Sequence, residues 1–85
     1  MNVSWKLIDK IDGIPMTEVW YYSSRSRRCT VTITYYYDAD GKLRYFGIIM
    51  VQCNKKKYYL NNKKELQRFL EKYNVPFPPI PPIEE

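Results

Sequence analysis

An 85-residue chain has room for one modest core and not two, and its composition, 45% hydrophobic and 16% aromatic with three glycines, is that of a folded globular domain. No apolar run approaches the roughly 18 residues of a membrane span, and with no histidine and only Cys29 and Cys53 as thiols, without zinc-site spacing, metal sites and acid-base catalysis lose their commonest residue, so neither a membrane nor a cofactor is expected. The formal charge of +5 is concentrated: residues 1–22 carry two lysines against three acids, residues 75–85 carry only Glu84 and Glu85, and residues 23–74 hold twelve basic residues against four acids, a field that selects anionic partners.

In chain order, Val3, Trp5 and Leu7 alternate with polar residues and predict a half-buried strand that runs into a hairpin turn at Asp12-Gly13. The return strand is expected over residues 16–22, rich in β-branched and aromatic types, with Pro15 tolerable at its start. The third strand is the clearest. Cys29, Val31, Ile33, Tyr35 and Tyr37 face one way, and Thr30, Thr32, Thr34 and Tyr36 the other. A fourth strand, residues 42–53, follows the turn Asp38-Ala39-Asp40-Gly41. Read as a type I turn with Gly41 left-handed in a bulge, that turn sets Asp38 opposite Lys42. Carried along both strands without interruption, the register pairs Tyr37 with Leu43, Tyr35 with Tyr45, Ile33 with Gly47, Val31 with Ile49 and Cys29 with Val51 on the core side. The other side then pairs Tyr36 with Arg44, Thr34 with Phe46, Thr32 with Ile48 and Thr30 with Met50.

Asn54 to Lys57 reads as a turn and Tyr58 to Leu60 as a short strand. A helix follows, with Asn62 at its N-cap, Glu65 three residues on, and Leu66, Phe69, Leu70 and Tyr73 on one face; Asn74 and Val75-Pro76 end it. The fold class is α+β: a curved antiparallel sheet of four to five strands, built of two successive hairpins and covered by one C-terminal helix, with a proline-rich tail. The domain spans residues 1–74. The tail, residues 75–85, holds five of the six prolines and is expected in polyproline II, which aligns Phe77, Ile80 and Ile83 for a groove of this domain or of a protein partner.

Function is sought in what the core leaves over. Arg25, Arg27 and Arg28 precede the third strand, Lys55, Lys56 and Lys57 follow the fourth, and Lys63 and Lys64 sit at a helix start, where the dipole disfavours cations. On the outward face Tyr36 and Phe46 lie near Arg44, and aromatic rings edged by guanidinium groups suit base stacking with phosphate contact. Phe46, Ile48 and Met50 on the same face equally suit a homodimer seam or another protein. Cys29 and Cys53 are diagonal neighbours in this register, too far apart to bridge easily, and are read as small apolar residues. Asp38 and Asp40 belong to a turn and Glu65 to a cap, which leaves no paired carboxylates, no phosphate cradle and no nucleophile with a base; an enzyme is not expected.

The run from Thr30 to Leu70, with its strand, acidic-glycine turn, strand, basic turn, Leu60-Asn61 and helix, resembles the positive-cofactor-four-like transcriptional coactivators, short basic single-stranded-DNA binders. That resemblance implies a dimer whose curved sheets grip two strands and whose helices help form the interface. The expected function is therefore a non-catalytic module binding single-stranded DNA or RNA with low sequence specificity. Phosphates would meet Arg25, Arg27, Arg28, Arg44 and Lys55 to Lys57, and bases would stack on Tyr36 and Phe46. The alternative is a small protein-interaction module using Ile48 and Met50 or the tail. The amino terminus lacks the pattern of a secretory signal, so an intracellular location, cytoplasmic or nucleoid-associated, is expected.

Overall fold

The computed structural model describes residues 4–13 and 15–80. Six strands and one helix follow one another: β1 (Lys6–Ile11), β2 (Met16–Ser23), β3 (Arg28–Tyr37), β4 (Leu43–Phe46), β5 (Ile49–Cys53), β6 (Lys56–Leu60) and α1 (Lys63–Lys72). All pairings are antiparallel, in the order β1-β2-β3-β5-β6, with β4 pairing the far end of β3 beyond β5. The architecture is an open antiparallel sheet with one C-terminal helix, as the alternation and the capping residues predict, but with six strands among the described residues where four to five were expected, because the strand expected over residues 42–53 divides into β4 and β5.

Local chemistry explains the elements that came out as expected. Asp38 turns the chain: its carboxylate accepts the Asp40 and Lys42 amides, both at 2.9 Å, and Gly41 takes φ 81°, where a side chain is disfavoured. Asn62 caps the helix by accepting the Glu65 amide at 2.9 Å, and the Glu65 carboxylate reaches back to the Asn61 amide. At the other end Asn74 is left-handed at φ 56°, and the Asn74 and Val75 amides close on the carbonyls of Glu71 and Leu70. This is a Schellman stop, which satisfies two of the last turn's orphan carbonyls.

The register beyond Leu43 departs from expectation. Tyr37 faces Leu43 as predicted, but Arg44 forms a bulge, so that Tyr36 faces Tyr45 and Tyr35 faces Phe46. A second break at Gly47 and Ile48 separates β4 from β5, after which Thr32 faces Met50, Val31 faces Val51 and Cys29 faces Cys53. Each break slides the partner strand by one residue. The physical gain is on the core side: an unbroken register would set Gly47 against Ile33 and leave Phe46 in water, whereas here Phe46 is 6% exposed and meets Tyr35 edge-on at 5.3 Å. The slide also corrects the reading of the thiols. Directly opposed, with Cα atoms 4.2 Å apart, Cys29 and Cys53 form a disulfide that ties β3 to β5. Such bonds belong to oxidising compartments and to hyperthermophile interiors, so cysteine usage lends no support to an ordinary reducing cytoplasm.

One face of the sheet carries the core. Val31, Ile33, Tyr35, Ile49 and Val51 are fully buried beneath Leu66 and Leu70 of α1. Phe69 and Tyr73 complete the helix stripe, Phe69 meeting Tyr58 at 4.7 Å and Tyr73 at 5.0 Å. The segment after the helix completes the cover. Val75, Pro78 and Ile80 are buried, and the indole of Trp5 donates to the Pro76 carbonyl at 2.6 Å. Ile80 is therefore spent on its own domain and is not offered to a partner; Ile83 and Val3 lie outside the described residues. β1 also differs from expectation. It starts at Lys6, one residue after the buried Trp5, and all six of its residues are exposed, because it is an edge strand with a bulge between Leu7 and Asp9.

Candidate nucleic-acid interface

The opposite face of the sheet is not covered by any element among the described residues, and the register fixes what it presents. One row across the five strands reads Lys6, Tyr21, Thr30, Gln52, Lys57, and the next reads Asp9, Val19, Thr32, Met50, Tyr59. Arg28 stands on this face at one end of β3; eight residues on, about 26 Å at strand rise, Tyr36 stands at the other. The central threonines are half-buried by their neighbours, whereas Tyr59 is 65% and Ile48 64% exposed.

Tyr36 is held by two contacts. Its ring stacks on Tyr45 with centroids 4.7 Å apart and 13° between planes. It also lies over Gly47, where a Cβ would come within 2.8 Å of the ring edge. Gly47 is thus the residue that lets the ring lie flat on the sheet, and its amide donates to the Thr34 carbonyl at 2.8 Å. Tyr45 is 56% exposed. The aromatic platform anticipated from Tyr36 and Phe46 is consequently Tyr36 and Tyr45, with Phe46 turned into the core. Sequence reasoning missed Tyr45, and Tyr59 and Tyr21 with it. The signal that could have pointed to Tyr45 is the pair of cysteines, since matching Cys29 with Cys53 demands a slide of two residues from the turn register, of which one falls before Tyr45 and turns it outward.

The basic residues sort by position. The β2–β3 and β5–β6 loops, far apart in sequence, meet at one end of the sheet, where the Asn54 amide donates to the Arg28 carbonyl at 2.8 Å and Asn54 takes the left-handed φ of 58°. Arg25, Arg28, Lys55, Lys56 and Lys57 are all exposed there. Arg27 is not available in the same way: its Nε donates to the Tyr73 carbonyl at 3.3 Å and its guanidinium lies 4.8 Å from that ring's centre, which neutralises the helix C-terminus. The three lysines divide between faces, because Lys57 pairs with Gln52 on the open side and Lys56 with Cys53 on the helix side. Arg44 occupies the bulge beside Tyr45. Lys63 lies 5.6 Å above the Phe77 ring. Among the described residues the one ion pair is Lys10 with Asp12 at 3.6 Å, so the cations of the open face and its basic end have no carboxylate partner.

The described residues hold no group of three or more histidine, cysteine or acidic side chains placed to bind a metal, and no helix long and apolar enough to cross a membrane. Comparison with protein-family models, curated proteins and solved structures finds no match.

Proposed function

We propose that the open sheet face binds single-stranded nucleic acid without catalysing a reaction on it. The observation that carries this reading is one surface holding a stacked, outward aromatic pair, Tyr36 and Tyr45, together with cations that no carboxylate neutralises, Arg28, Lys57, Lys6 and Arg44, with Arg25 beside them. Stacking is indifferent to base identity and phosphate contact to sequence, so low specificity follows. The 26 Å from Arg28 to Tyr36 has room for about four nucleotides, the small end of the range for such sheets.

The test is amide and aromatic NMR of the chain titrated with a short single-stranded oligonucleotide. Shifts confined to Tyr36, Tyr45, Tyr59, Arg28 and Lys57, with Leu66 and Leu70 still, support the reading. A map on α1, or no shifts at low salt, ends it.

A second reading is favoured by Met50 and Tyr59, apolar groups on the open face, and by the exposed Ile48 in the adjoining break between β4 and β5. They suit a protein seam, including a second copy of the chain. Sedimentation distinguishes the two: a dimer that dissociates on Ile48→Lys and hides Tyr59 from solvent would assign the face to protein.

A further inference from the structure

At the basic end, on the helix side of the sheet, a cleft of about 430 Å³ is lined by Cys53, Asn54, Lys55, Lys56, Tyr58 and Tyr73. Its size falls within the range of small-molecule sites. Its chemistry is one-sided: two ammonium groups and an asparagine amide at the β5–β6 turn, two phenols from β6 and the helix cap, and no carboxylate among the lining residues. The helix carbonyls that end near Tyr73 would repel an anion. They are already engaged by Arg27 on the Tyr73 carbonyl and by the amides of the Schellman stop, and Lys72 lies 5.9 Å from the Tyr73 ring. The Tyr58 and Tyr73 phenols each bring a hydroxyl that can donate to an anion.

The cleft lies against β6, the edge strand whose other side belongs to the open face. Successive lysines of β6 point to opposite sides, Lys57 to the open face and Lys56 to the cleft, so the cations form a track that turns around the β5–β6 corner. An internal phosphodiester brings one charge to such a corner. A terminal phosphate brings about −1.5 to −2 at neutral pH and three acceptor oxygens, which matches paired lysines with phenol and amide donors.

We propose that this cleft binds a nucleotide phosphomonoester: the phosphate at Lys55, Lys56 and Asn54, its sugar or base against Tyr58 and Tyr73. The ligand is the phosphorylated end of a single strand or a free nucleoside monophosphate. The first source rests on the open-face reading and the second does not.

The test uses the intact chain. Hexathymidylates carrying a 5′-phosphate, a 3′-phosphate or neither are titrated by fluorescence anisotropy, and adenosine monophosphate is titrated by NMR against adenosine. At least a five-fold preference for a phosphorylated end, lost in Lys56→Ala and shrinking as pH falls through about 6, supports the strand-end ligand. Shifts at Tyr58 and Tyr73 with adenosine monophosphate but not adenosine, without an end preference, support the free nucleotide. Absence of both responses overturns the proposed cleft site. Tyr45→Ala should leave the adenosine monophosphate titration unchanged, so failure of the open face and failure of the cleft are read separately.

Discussion

Tyr45 and Phe46 are adjacent, chemically alike and placed on opposite sides of the sheet, so truncating each in turn measures the register directly. Phe46 is 6% exposed and packed edge-on against Tyr35, and Phe46→Ala should cost about 3 to 5 kcal/mol of stability. At about 4 °C or more per kcal/mol for a domain this size, Tm should fall by at least about 12 °C. Tyr45→Ala loses only a surface stack, about 1 kcal/mol, but removes half of the platform. Single-strand affinity should then fall by about 1 to 3 kcal/mol, or roughly 5- to 150-fold, with the salt slope unchanged because stacking releases no counterions. Thermal denaturation followed by circular dichroism and anisotropy titration on the two variants give all four numbers. A tolerated Phe46→Ala beside a collapsing Tyr45→Ala would refute the two strand breaks, and with them the placement of the open face.

Other outcomes follow from the same packing. Replacing both Cys29 and Cys53 by alanine opens a loop of 24-residue separation and should lower stability by about 3 kcal/mol in urea titrations; an unchanged midpoint would show that the cross-link is not formed. Ile80→Ala should cost about 2 to 5 kcal/mol, because Ile80 is buried in the core; a shift below about 0.5 kcal/mol would free the segment after Asn74 from the domain. The Tyr35 hydroxyl is buried without a hydrogen-bond partner, so Tyr35→Phe should be neutral or stabilising by about 1 kcal/mol. Burial, with Glu18 adding, holds that phenol well above its usual range, so the folded chain keeps a proton that the unfolded chain releases near pH 10. Stability is therefore full below about pH 10 and falls above it by up to about 1.4 kcal/mol per pH unit, a slope that Tyr35→Phe should remove.

The sequence was most informative where the determinant is local. The Asp38 turn, the Asn62 cap, the Asn74 stop and the buried side of β3 each depend on residues within a few positions of one another, and each stands as read. What was not legible depends on pairing between distant residues. The bulge at Arg44 and the break at Gly47 carry no strong local signal; they are selected by the burial of Phe46 and the opposition of Cys29 with Cys53. A slip of one residue reverses which side chain faces out, so Phe46, read as outward, is buried, and Tyr45 takes the outward place beside Tyr36. The proline-rich segment stayed open between two readings for a related reason: the even spacing of Phe77 and Ile80 is equally suited to a partner's groove and to this chain's own Trp5 side, and only the fold decides.

The central claim is that the open face holds single-stranded nucleic acid through charge and stacking together. It is tested most directly by titrating the chain with a single-stranded oligonucleotide and its duplex at salt concentrations from about 50 to about 200 mM. With Arg25, Arg28, Arg44, Lys6 and Lys57 each neutralising one phosphate, the account predicts tighter binding of the single strand and a slope of log K against log salt near about −3.5. Absence of binding at the lowest salt, or a duplex bound as tightly as the single strand, would contradict it.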